Sequence, residues 1–252
     1  MFRLDDINNE NVKPCESKEF HPLILDKFEE LMDGRLKDSV ILSESQIENL
    51  KEVITTTGKN YLECFDDSQN LFGKVISRFE DVDVNEHYDE IYHRTEDEFS
   101  FELTDYSMSL DMVNEFTEDK WNTLSNLEKI KLIESFYDTL ASELKLEEVP
   151  KLYFCVTDTN FCGCFDNKNN VIIVNLAYIN YPQEIIDTIA HELWHSKQFE
   201  VANSGNDERA KLYALNFNNY ITSQMDFFGY EGQLIEAEAR AFANQITRRN
   251  DA

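Results

Sequence analysis

The feature that most constrains this chain is how rarely it is interrupted. Its 252 residues include only 7 Gly and 4 Pro. Turns need the φ freedom of glycine or the fixed φ of proline, so scarce breakers mean few tight turns and long regular elements. Hydrophobic residues make up 42% and aromatics 12%, enough to bury a core and to exclude a globally disordered chain. Helices are therefore expected to dominate.

The pattern along the chain supports this. Residues 1–20 are polar and irregular and read as a loose arm. A short amphipathic helix is expected over His21–Gly34. A second starts at Ser43, where Gln46 completes a capping box and Ile47, Leu50, Val53 and Ile54 supply the stripe. A third stretch is expected over about Asp67–Phe79, and Asp81–Glu102 is acid-rich and without clear periodicity. Leu124–Leu146 has helical spacing, ended by Pro150. Lys151–Thr157, Cys162–Phe165 and Val171–Asn175 are β-branched and aromatic, and they read as strands. The last two are joined by the turn-rich Asp166–Asn170. Helices are then expected over Gln183–Val201, Glu208–Ser223 and Leu234–Arg249.

The expected fold class is thus α+β: mostly helical, with a small antiparallel hairpin or sheet packed beside the helix of residues 183–201. Charge divides the chain unevenly. Net charge is −27, with 31 acids against 12 bases in residues 1–120 and 19 against 11 in residues 121–252. The fall in acidity suggests an acidic, helical region over 1–117 and a second domain over 118–252. Such a surface repels nucleic-acid phosphates and anionic lipid, and it favours solubility or a basic protein partner. The polar, acidic N-terminus does not read as a signal peptide, and no apolar run approaches a membrane span. Five cysteines, an odd number, fit free thiols in a reducing cytoplasm.

Chemistry concentrates in His191-Glu192-Leu193-Trp194-His195, an H-E-x-x-H pattern holding two of the chain's five histidines. On a helix, residues four apart share a face, so both imidazoles can reach one ion. Imidazole nitrogen suits zinc. Glu192 lies beside the first ligand, where a carboxylate can act on a zinc-activated water as general base. A catalytic zinc needs a third protein ligand. No histidine follows His195, so the candidates downstream are acidic. Glu236 and Glu238 are about 200° apart on a helix and only one can face the ion. Glu200, Asp207, Glu208 and Glu231 are further candidates, and Asp187 lies one turn before His191.

His191–Gln198 and Ile235–Ala243 together resemble the gluzincin zinc metallopeptidases. The likeness is strongest to small intracellular and phage- or mobile-element-associated forms, in the patterns HEL-x-H-x-x-Q and I-E-x-x-A-R-x-F-A. The resemblance covers roughly residues 124–249. It implies that Glu236 is the third zinc ligand, that Ala239 lets two helices approach closely, and that a strand edge at Cys162–Asp166 holds substrate backbone by β-augmentation. Arg240 stands where many relatives carry Asp or Asn. The implied activity is hydrolysis of a protein or peptide substrate. Some relatives stabilise the oxyanion with a tyrosine or histidine. Tyr213, Tyr220 and Tyr230 lie between the two ligand-bearing helices, and Tyr230, flanked by Gly229 and Gly232, is the preferred candidate. A different class remains open: an acidic interaction protein that binds a basic partner or mimics nucleic acid on a metallopeptidase-like scaffold. The Cys162-x-Cys164 pair reads as structural strand cysteines, and His87 and His93, six apart, as solvated side chains.

Overall fold

The computed structural model describes residues 42–59, 76–79, 81–156, 162–223 and 225–247. The arm of residues 1–20, the helix expected over His21–Gly34 and most of that over Asp67–Phe79 lie outside the described residues.

Helix α1 (Glu44–Thr57) opens on Ser43. The Ser43 side chain accepts the Gln46 N–H, and the Gln46 side chain accepts the Ser43 N–H at 2.9 Å. These bonds satisfy donors that a helix start leaves open. Gly58, at φ 71°, closes the helix in the left-handed region where a Cβ would be strained. Short 3-10 turns and three short helices follow: α2 (Tyr88–Ile91), α3 (Ser107–Met112) and α4 (Glu118–Trp121). The long α5 (Asn126–Glu143) begins on a second capping box, Ser125 with Glu128. Strands β1 (Lys151–Cys155), β2 (Gly163–Asp166) and β3 (Val171–Asn175) come next. They are followed by α6 (Pro182–Ser204), α7 (Glu208–Asn218), α8 (Phe227–Glu231) and α9 (Leu234–Thr247). The molecule is mostly helical α+β, as its composition requires.

The sheet corrects one expectation. Its order is β1-β3-β2. β2 pairs antiparallel with β3, as the short turn between them demands, but β1 pairs parallel with β3. The sheet is mixed rather than antiparallel. Local spacing fixes the hairpin, whereas the direction of β1 is set by which edge of β3 it reaches. As the central strand, β3 is buried at all five positions, which accounts for its uninterrupted apolar run Val-Ile-Ile-Val.

Leu152, Phe154, Phe165, Ile172 and Val174 face the main core, shared with Ile185, Ile186, Ile189, Ala190 and Leu193 of α6. The alternate residues Tyr153, Cys155, Cys164, Val171 and Ile173 form a small second cluster. The main core takes side chains from both sides of residue 117, among them Leu50, Ile54, Phe116, Trp121 and Phe136. Trp121 is fully buried, stacks on Phe116 and donates its indole N–H to the Ile179 carbonyl at 2.6 Å. Among the described residues, no helix is long and apolar enough to cross a membrane.

Two close approaches position the site. α9 packs along α6, and its Ala237, Ala239, Ala241 and Ala243 are all buried. On the other side, β2 meets α6 at Gly163. A Cβ there would lie 2.5 Å from Thr188 Cγ2 and 2.6 Å from the Ile173 carbonyl oxygen. Only glycine permits this approach.

Candidate metal centre

α6 runs for 23 residues, and its turn of about 100° per residue brings His191 and His195 onto one face. Their Nε2 atoms are 2.9 Å apart and the rings are nearly perpendicular. α9 supplies the third group. Glu236 Oε2 lies 3.3 Å from His191 Nε2, and Glu236 Oε1 lies 3.3 Å from His195 Nε2. Three ligating atoms from two helices thus converge, all within 4.8 Å of one another.

The arrangement fits a tetrahedral zinc. Bonds of about 2.05 Å give ligand–ligand edges of about 3.3 Å. Each histidine has one Glu236 oxygen at that distance, Oε2 for His191 and Oε1 for His195, and the nitrogen pair is slightly tighter. Among the described residues, Glu236 Oε2 is buried with no hydrogen-bond partner, as a buried oxygen kept for a cation would be. Burial and the neighbouring His195 push the His191 pKa down to about 3, keeping it neutral. For Glu236, burial favours the neutral acid, but the two histidines outweigh it and hold the carboxyl well below its usual range. For His195, burial opposes a charge, yet the Glu236 carboxylate outweighs it and raises the pKa. Neutral imidazole and ionised carboxylate are the forms that bind metal, so His191 and Glu236 are already in them, while a cation would have to displace a proton from His195.

Glu192 belongs to the site without joining this trio. Its Oε2 accepts the Phe165 N–H at 2.8 Å. Phe165 pairs with Ile172 on β3 but sends this N–H outward, so the outer edge of β2 faces α6. Burial raises the Glu192 pKa to about 7, the range in which a carboxylate can both take and return a proton near neutrality.

The candidates named from sequence are placed as follows. His191, Glu192, His195 and Glu236 come together. Glu238 points elsewhere: it is fully buried and accepts from Gln198 Nε2 at 2.8 Å and from the Tyr213 hydroxyl. The tyrosine hydroxyl at the cluster is that of Tyr220, which donates to Glu236 Oε1 at 2.7 Å. Tyr230, the candidate preferred from sequence, packs its ring edge-on to Tyr220 at 6.2 Å. Tyr220 sits in irregular chain after α7, where no periodic signal separates it from its neighbours. Arg240 donates to Glu96 Oε1 at 2.7 Å and to the Glu231 carbonyl, and its Nη1 lies 4.0 Å from Glu236 Oε2. It therefore flanks Glu236 rather than a histidine.

The carboxylates of Glu200, Asp207, Asp187 and Glu208 are engaged elsewhere. Glu200 pairs with Lys197 and accepts the Glu147 N–H. Asp207 caps α7 through the Ala210 N–H, and Asp187 accepts from Thr247 at 3.3 Å. His87, Glu90 and Glu208 form a second, exposed group, in which Lys211 already lies 2.6 Å from Glu208. His93 meets the edge of the Tyr88 ring. Among the described residues, Cys155, Cys162 and Cys164 form no disulfide. No family model, curated protein or solved structure matches the chain.

Proposed function

We propose that this chain is a zinc-dependent hydrolase of peptide bonds, of the gluzincin type. The observation that carries the reading is the convergence of Glu236 with His191 and His195, beside a Glu192 that stays out of the trio. His191, His195 and Glu236 would hold the ion. When bound, zinc supplies Lewis acidity: it lowers the pKa of a coordinated water and polarises a carbonyl.

The rest falls to the chain's own groups. Glu192, lifted toward neutral pKa by burial, takes a proton from the attacking water and returns it to the leaving nitrogen. Tyr220 is a second tyrosine candidate beside Tyr230: its hydroxyl donates to Glu236 Oε1 at 2.7 Å, and it would act on the oxygen that gains negative charge by turning from that carboxylate. The resemblance would have substrate pair with the edge of β2, but that edge packs against α6 and its Phe165 N–H is taken by Glu192. The net charge of −27 favours basic proteins or peptides among the substrates.

The test has two parts. Purified protein should contain about one zinc per chain, lost in a His191→Ala/His195→Ala variant. A peptide library should be cleaved by the wild type and not by Glu192→Gln. Zinc no higher in the wild type than in the double variant would refute the reading.

A further inference from the structure

We infer that Gln198 and Glu238 are positioning residues that set the tautomer and orientation of His195. The inference deepens the proposed zinc site and rests on that reading for its effect on metal affinity.

The geometry begins at His195 Nδ1, 2.9 Å from Gln198 Oε1. Gln198 lies three residues further along α6, on the same face, and is fully buried. Its amide cannot be turned round at will. Its Nε2 donates to the Ile235 carbonyl at 3.0 Å and to Glu238 Oε2 at 2.8 Å, two groups that only accept. Gln198 must therefore present its oxygen to His195. Nδ1 then carries a proton in either charge state, so Nε2 is the nitrogen left to face Glu236 and His191 and to give up its proton to a metal.

Glu238 holds the amide in this sense. It is fully buried, accepts the Tyr213 hydroxyl, and is ion-paired with Arg209, whose own side chain is more than half exposed. Arg209 also donates to the Tyr213 oxygen at 2.7 Å. The chain Arg209–Glu238–Gln198–His195 thus runs from the surface to the centre. It explains why two acids two residues apart on α9 are both buried: Glu236 completes the cluster and Glu238 orients one of its histidines. Groups that hold a ligating histidine by its other nitrogen are worth about 10–100-fold in metal affinity.

The test combines zinc affinity, measured by competition with a chelating dye, with the His195 tautomer. The tautomer is read by nitrogen NMR on zinc-free protein at a pH where both rings are neutral. Gln198→Leu should weaken zinc binding about 10–100-fold and move His195 away from the Nδ1–H form, and Glu238→Gln should act in the same direction. The reciprocal variant Gln198→Glu/Glu238→Gln again gives His195 an acceptor and gives position 198 a donor, so it should recover most of the lost affinity and the Nδ1–H tautomer. If Gln198→Leu does not fold, Glu238→Gln and the reciprocal variant carry the same comparison. Unchanged affinity and tautomer in the folded single variants would overturn the inference, as would a reciprocal variant no better than Glu238→Gln alone. A wild type that binds no zinc would refute the proposed function, while the tautomer measurement would still decide the relay.

Discussion

Replacing Gly163 with alanine tests how the sheet is set against the site helix. The added Cβ would lie 2.5 Å from Thr188 Cγ2 and 2.6 Å from the Ile173 carbonyl oxygen. The first contact involves a side chain that can turn. The second is backbone of the central strand, held in register on both sides. Gly163 must therefore shift from both β3 and α6 by some tenths of an ångström. Overpacking of this kind costs about 1–3 kcal/mol. In a chain of this size each kcal/mol lowers Tm by about 2–4 °C, so the expected fall is about 2–12 °C by calorimetry. The same displacement draws the Phe165 N–H away from Glu192, so any peptide hydrolysis should fall in the variant even where it is folded. Adding Thr188→Ala removes the contact with Cγ2 and leaves that with the carbonyl, so the pair should recover part of the loss and no more. A Gly163→Ala protein melting within about 1 °C of the wild type would refute the reasoning, because no close approach would then limit the position of β2.

Other outcomes follow from the same structure. Glu192→Gln should bind zinc as the wild type does while its kcat/KM for peptide falls about 10²–10⁴-fold, the usual worth of a general base; equal loss of metal would make Glu192 a ligand instead. Trp121→Ala should cost about 3–5 kcal/mol in urea unfolding, since it empties a fully buried site and strands the Ile179 carbonyl; a cost under about 1 kcal/mol would contradict that packing. Burial pushes the Cys155 thiol up to about 12, so at pH 8.5 only roughly one thiol in three thousand is thiolate. In native protein the peptide carrying Cys155 should resist iodoacetamide until urea is added. Alkylation at the same rate with and without urea would show the thiol to be exposed.

Much of this was legible because it is local. The capping box at Ser43, the hairpin around the turn after Asp166, and the shared face of His191 and His195 each depend on residues a few positions apart. Helix and strand periodicity fix such relations before any tertiary contact forms. The choice between Glu236 and Glu238 was half legible: a turn of about 100° per residue says they face opposite ways, but not which way is inward. Gln198 was within reach too, three residues from His195, though its role needs Glu238 to orient its amide.

Sequence by itself thus determined that the chain is mostly helical and that one helix carries two histidines and a glutamate in a metal-binding pattern. Only the tertiary structure decided the rest: that β1 lies parallel to β3, that α9 delivers Glu236 to both histidines, and that the Tyr220 hydroxyl reaches Glu236. Those relations join residues far apart in the chain. Their distances are set by how helices and strands pack, at Gly163 and along the alanines of α9, and packing leaves no periodic trace in the sequence.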